Sequence, residues 1–190
     1  MLKDLIINNR SCRRFYQDIK VDLETLRELV NLARLSPSAR NLQPLKYILS
    51  TGAEKNELIF SCLAWAGYIK DWSVPESERP AAYILMLGDK KIASSFAYDA
   101  GIAAQSILLG AREKGLAGCI LGSVQKEKIR GLLKIPEQYE VLLVIALGKP
   151  KEKAVLEEVG PDGDIKYWRD AEGIHHVPKR RLDELIVGSF

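Results

Sequence analysis

The sequence predicts an α+β fold, on three observations. Apolar stretches of strand length and of helix length alternate irregularly rather than in strict strand–helix–strand order, which disfavours a doubly wound parallel sheet. Ala81–Leu87 is apolar throughout and reads as a central strand covered on both faces. Between Ala100 and Ala111 there is no charge and most residues are small or aliphatic, so a helix there is apolar nearly all round and belongs in a core or a subunit interface. That run is too short to cross a bilayer, and Asp99, Arg112, Glu113 and Lys114 bracket it.

In chain order, Leu2, Leu5 and Ile6 have helical spacing and predict a short helix before the basic motif Asn8–Phe15. Asp22 is a good N-cap for a second helix whose apolar face is Leu23, Leu26, Leu29, Val30 and Ala33, stopping before Pro37. Ser36–Pro44 holds two prolines and several hydrogen-bonding side chains and is a loop. Leu45–Ser50 reads as a strand, Ala53 to about Leu63 as a helix, and Gly67–Pro80 as an irregular excursion. The uncharged helix stops at Gly115, the natural C-terminal glycine. A short buried strand, Leu116–Leu121, then delivers Gly122 to a sheet edge. A helix from about Gln125 to Leu133 and a strand at Val141–Leu147 follow, and Gly148-Lys149-Pro150 closes the regular part. Residues 151–190, with a turn at Pro161-Asp162-Gly163 and a basic tail, read as an extension that wraps over something. There is no repeat and no linker, so residues 1–190 form a single domain.

A chain of 190 residues can bury a substantial core without staples. With 28 basic and 25 acidic residues the net charge is +3, too small to imply nucleic acid. The three cysteines are widely spaced and outside any C-x-x-C pair, so no disulfide framework is expected. The N-terminus has no export-signal pattern and no membrane span, which makes the cytoplasm the expected compartment and a membrane partner unexpected.

Basic residues cluster at both ends, as Arg10, Arg13 and Arg14 and again as Lys179, Arg180 and Arg181, and two such clusters can converge on one small anion. A phosphate monoester needs charge and several donors at once, and Arg10-Ser11-Cys12-Arg13 supplies guanidinium, hydroxyl and backbone donors together. Asn41 and Gln43 can read the carbonyl and amide edge of a planar heterocycle, since each side chain both donates and accepts. Gly122, between a buried strand and a helix, lets a ligand approach its N–H. Against these stand the plainer readings of a solvated basic surface, a self-satisfied loop and a turn glycine. The glycine motifs of a Rossmann site, a P-loop and a hydrolase elbow are missing. His175 and His176 have no third ligand at metal spacing, and no metal is expected. Cys12 has no triad-type partner, and the three tryptophans read as packing.

R-S-x-R near the N-terminus, P-S-x-x-N-x-Q-P, a small-residue helix running into G-L-x-G-x-x-L-G-S, and a basic K-x-R tail occur in that order. Together they make the chain resemble the FMN-dependent nitroreductase family over nearly its whole length. The resemblance implies a mixed central sheet flanked by helices and an intertwined homodimer with FMN at the interface. The extension from about residue 151 would wrap the partner subunit. It places Arg10, Ser11, Arg13, Lys179 and Arg181 at the FMN phosphate and ribityl chain, and Pro37, Ser38, Ala39, Asn41 and Gln43 along the flavin, from the same or the partner chain. Leu121 and Gly122 match the place where backbone N–H groups meet the flavin N5 and O4 edge, and Gly122 would serve catalysis without any side-chain acid or base. The implied activity is NADH- or NADPH-dependent reduction of nitroaromatics, quinones or related acceptors by a ping-pong route. Reductive dehalogenation, flavin breakdown and non-enzymatic anion or flavin binding are the alternatives. Two departures stand out: Asn9 where many members have a second Arg, and Leu45 where many have Trp.

Overall fold

The computed structural model describes residues 1–69 and 72–190. Its main sheet joins β1 (Phe15–Tyr16), β2 (Leu45–Ser50), β3 (Ala82–Asp89), β4 (Ala117–Leu121) and β5 (Tyr139–Pro150). β5 is the spine: it pairs antiparallel with β3 (Leu85 opposite Val144), with β4 (Cys119 opposite Ala146) and, at its end, with β1 (Phe15 opposite Pro150). β2 extends the sheet antiparallel to β3. Parallel pairing enters at a bridge between Ser11 and Gly118 and in a smaller C-terminal sheet.

The α-helices among the described residues are α1 (Leu2–Asn8), α2 (Leu23–Leu35), α3 (Ala53–Phe60), α4 (Ala97–Glu113) and α5 (Lys126–Leu133); α1 lies against α4, and the others flank the main sheet. Every residue of β3 is buried, and successive side chains serve opposite faces. Ala82, Ile84 and Met86 join a core with Leu26 and Leu29 of α2 and Ala104 and Ile107 of α4. Tyr83, Leu85 and Leu87 join a second core with Ile59 of α3 and Ile129 of α5. Burying each large side chain contributes about 1.5–3 kcal/mol, and two such layers explain an uninterrupted apolar strand.

The caps follow the predicted chemistry. The Asp22 carboxylate accepts the Thr25 N–H at 2.7 Å and starts α2, which is capped at its C-terminus by Ser36 just before Pro37. Past α4, Gly115 takes φ +72° and the Leu116 N–H reaches back to the Ala111 carbonyl at 2.9 Å, a six-to-one closure that turns the chain into β4. At Gly118 a Cβ would stand 2.5 Å from the Ala146 carbonyl oxygen and 2.7 Å from Leu108, so only glycine lets β4 lie this close to β5 and α4.

Several expectations shift. α3 stops at Phe60 rather than Leu63, because Leu63 bridges Val124 and the Ala64 N–H donates to the Ser123 carbonyl, drawing that segment alongside the tip of β4. Regular structure does not close at Gly148-Lys149-Pro150: β5 runs through these residues because β1 supplies partners for its end. Beyond it, β6 (Ala154–Glu158), β7 (Trp168–Arg169) and β8 (His175–Lys179) form a three-stranded sheet, with β6 parallel and β7 antiparallel to β8. α4 is not buried all round. Tyr98 is 81% and Ile102 39% exposed, and with Gly101 and Gln105 they form an uncharged stripe on its open side. The chain ends in an apolar tail whose Leu182, Leu185, Ile186, Val187 and Phe190 are all exposed. Among the described residues no helix is long and apolar enough to cross a membrane.

Candidate functional site

The N-terminal motif is fixed to the sheet before any ligand is considered. The Cys12 N–H donates to the Gly118 carbonyl at 2.9 Å beside the Ser11–Gly118 bridge. The Arg13 N–H donates to the carboxylate of Glu152, which also takes the Arg169 guanidinium and is 3% exposed. β5 leads straight to Glu152, so the sheet's spine and the motif share one anchor.

The two basic clusters converge. Arg10, Ser11 and Arg13 line a cavity of about 180 Å³, and Lys179 reaches it from β8. Tyr167, His175 and Val177 complete the C-terminal side. Arg13 is 8% exposed, yet among the described residues no carboxylate lies within salt-bridge distance of its guanidinium. Instead the guanidinium lies 4.5 Å over the Tyr167 ring and one of its terminal nitrogens is 3.2 Å from His175 Nε2. Its Nε has no acceptor, and neither has that of Arg10, whose far end donates to the Ile6 carbonyl at 2.7 Å. Burial lowers the Arg10 pKa. Buried cations without counter-charge are costly, and an anion in the cavity would offset that cost. The orphaned N–H groups fit a terminal phosphate, whose oxygens accept several such donors.

Other basic residues have other employment. Arg14 pairs with Glu78 at 3.4 Å, and Glu78 also holds Lys151 at 3.0 Å, so Arg14 ties β1 to the excursion instead of joining the anion cluster. Arg181 lies beyond β8, is largely exposed and sits 3.9 Å from Glu158; it does not line the cavity.

The Ser36–Pro44 loop stands elsewhere in the same chain. Pro37, Ser38 and Gln43 line a separate cavity of about 250 Å³ with Leu45, Tyr47 and Asp99. The Ala39 N–H donates to Asp99 at 3.2 Å and the Gln43 N–H to Ser38 Oγ at 2.9 Å, which pins the loop to α4. Arg40, Asn41 and Gln43 all take positive φ (51°, 54° and 52°), and such strain in non-glycine residues concentrates at functional loops. Burial, then the Asp99 charge, pushes the Tyr47 hydroxyl up to about 12.

β4 connects the anion cavity to Gly122. From Gly118, beside Ser11, to Gly122 is four residues, or roughly 13 Å at strand rise. A phosphate, a five-carbon chain and a fused-ring system would span that distance. Leu121 is buried in the α3/α5 core, whereas Gly122 is exposed and a Cβ on it would meet nothing within 4 Å.

Tyr167 and His175 line the cavity and Glu152 anchors the Arg13 backbone beside it, and none of the three is singled out from sequence as a site residue. Strand periodicity offered a signal: in His175-His176-Val177-Pro178-Lys179 the alternate residues His175, Val177 and Lys179 share the face that lines the cavity. His176 points the other way, to Asp170 at 3.0 Å and to Glu157, and stacks on Trp168. Among the described residues no group of three or more potential ligands is placed to hold a metal. Cys12 is buried and its thiol is pushed up to about 12 by burial first and by Glu152 next, which leaves it inert as a nucleophile.

Comparison with known proteins gives a family. The model of the nitroreductase family matches residues 6–149. A protein of Archaeoglobus fulgidus, provisionally named NADH dehydrogenase/NAD(P)H nitroreductase, is 29% identical, the match covering 78% of this chain and 85% of that one. The 4-nitrobenzoate reductase of a Nocardioides species is 26% identical over 76% of this chain and 79% of its own. Among solved structures, an FMN-dependent nitroreductase of Clostridium difficile superposes with a TM-score of 0.67 at 26% identity, covering 78% of this chain and 87% of that one.

Proposed function

From the premise that this chain belongs to the nitroreductase family of oxidoreductases, we propose that it holds FMN and uses NADH or NADPH to reduce nitroaromatics, quinones or related acceptors. The observation that carries the cofactor reading is Arg13: a buried guanidinium with no counter-charge, in a cavity it shares with Arg10, Ser11 and Lys179. Those four residues would take the phosphate. Leu121 and Gly122, one strand-length along β4, would present backbone donors to the ring edge in open space. A bound flavin would supply the redox chemistry between the nicotinamide and the acceptor. The protein's share would be to hold and orient the ring, with the Gly122 backbone N–H rather than a side-chain acid or base serving the step. Oxidant and reductant take turns in one pocket, which gives ping-pong kinetics.

The same reading makes the chain a homodimer. The loop from Pro37 to Gln43 does not line its own chain's anion cavity, so a second copy would contribute it. The uncharged stripe of α4 and the exposed apolar tail are the surfaces such a copy would cover. An interface built from both exceeds about 2,000 Å². Purified protein should be yellow, release FMN rather than FAD, and run as a dimer in light scattering. A colourless protein that takes up no added FMN sinks the cofactor reading, and a stable flavin-loaded monomer sinks the dimer.

A further inference from the structure

Lying on β8, His175 is 1% exposed, and its Nε2 sits 3.2 Å from the Arg13 guanidinium. A guanidinium can only donate, so Nε2 must accept, and the ring proton therefore sits on Nδ1. That Nδ1–H is buried without an acceptor, at a residue that lines the anion cavity. Tyr167 touches both partners, with its ring 4.5 Å from the Arg13 guanidinium and 5.1 Å from the imidazole. Arg13 is thus gripped on two sides by groups that carry no negative charge. The alternative acceptor close by, Glu152, is occupied by the Arg13 backbone N–H and by Arg169. A carboxylate in the place of His175 would hold Arg13 equally well, but it would neutralise the charge that draws the anion.

We propose that His175 is the positioning residue of the phosphate cradle: it holds the Arg13 guanidinium through an uncharged acceptor, so that the full positive charge of Arg13 remains available to the phosphate. The proposal rests on the phosphate reading of the cavity given above. Burial first, then the charges of Arg13, Arg169 and His176, press the His175 pKa down to about 4, which keeps the acceptor uncharged at neutral pH.

Three variants separate this role from plain packing. His175→Gln keeps a neutral acceptor at the position of Nε2, His175→Glu keeps an acceptor but adds a negative charge, and His175→Leu removes the acceptor. FMN binding to the full-length apoprotein is read by quenching of flavin fluorescence. Inorganic phosphate binding is read by the rise it causes in apoprotein melting temperature, and apo melting temperature gives stability. The expected affinity for both ligands runs wild type, Gln, Leu, Glu. Gln should lie within about threefold of wild type, and Glu should lose roughly thirtyfold or more, the size of one hydrogen bond to a charged group. Stability follows a different order, because the Glu variant gains a buried partner for Arg13 and its apoprotein melts no lower than the Leu variant. A merely structural His175 would make affinity track melting temperature across the series. Equal FMN affinity in wild type and all three variants overturns the role of His175 while leaving the cofactor reading intact. Wild-type protein that binds neither FMN nor phosphate overturns the cradle, and this proposal with it.

Discussion

Arg13→Met separates an anion-binding arginine from a structural one, because the two roles give opposite balances of stability and affinity. Met keeps the aliphatic contact of the arginine stem while deleting the charge. The apoprotein loses one hydrogen bond to His175, at about 1.5–3 kcal/mol, and a stacked cation over Tyr167, at up to about 2 kcal/mol. It gains relief from burying a guanidinium that has no carboxylate partner, a cost of several kcal/mol. The terms nearly cancel, so apo stability should stay within about 2 kcal/mol of wild type, a shift of roughly 4–8 °C or less for a chain of this size. Breaking a paired buried charge would cost about 3–5 kcal/mol instead. The bound form has no such compensation. Two lost charge-assisted hydrogen bonds, at about 1.5–3 kcal/mol each, weaken FMN by roughly a hundredfold to ten-thousandfold. Differential scanning calorimetry of the apoprotein and flavin fluorescence titration give the two numbers. An apoprotein that melts more than about 10 °C lower while FMN affinity falls less than tenfold would refute the reasoning, because Arg13 would then be part of the scaffold.

Gly118→Ala places a methyl against a backbone carbonyl that cannot step aside, so it should cost about 1–3 kcal/mol, whereas Gly110→Ala meets the movable end of the half-exposed Leu32 and should cost less; chemical denaturation of both variants compares them directly. At Gly122, Ala should leave stability within about 0.5 kcal/mol, since the site is open, while Pro deletes the donor and should slow stopped-flow flavin reduction by about a hundredfold with FMN occupancy checked first. The adjacent histidines should titrate in opposite directions by NMR. His175 stays neutral until pH approaches about 4, so its stabilisation is full above the unfolded value of about 6.5 and is lost as pH falls between the two. His176 is raised by Asp170 and then Glu157, so its stabilisation is present below about 6.5 and is lost as pH rises through its elevated midpoint. A single shared midpoint would contradict the burial of one and the pairing of the other.

The layered core was legible because its signals are local: an uninterrupted apolar β3, the Asp22 cap and the Gly115 stop each announce one element. Elements defined by a distant partner were not. β5 continues to Pro150 only because β1 lies beside its end, and Leu63 leaves α3 only because Val124 offers a bridge. At the site, the convergence of Arg10, Ser11, Arg13 and Lys179 was readable as charge at the two ends of the chain. The separation of Arg14 from that group was not, since its partner Glu78 lies in an irregular segment with no period to place it. Tyr167 and Glu152 escaped for the same reason: each matters through its contact with Arg13, more than a hundred residues away, and such contacts have no sequence periodicity.

The position of β5 also dictates an order of events while the chain is being made. β2 and β3 can pair as soon as both have emerged, but the other edge of β3, and the edge of β4 that faces β5, have no partner until residues 139–150 leave the ribosome. Until then nearly three-quarters of the polypeptide waits with an apolar, unpaired strand edge, the kind of surface on which nascent chains aggregate or recruit chaperones. Arrival of β5 closes three strand pairings almost at once, and Glu152 follows it within two residues, so that the Arg13 backbone is clamped as the sheet completes. A nascent chain stalled before Tyr139 should therefore be sticky and protease-sensitive, whereas one released beyond Glu152 has the hydrogen bonds to resist.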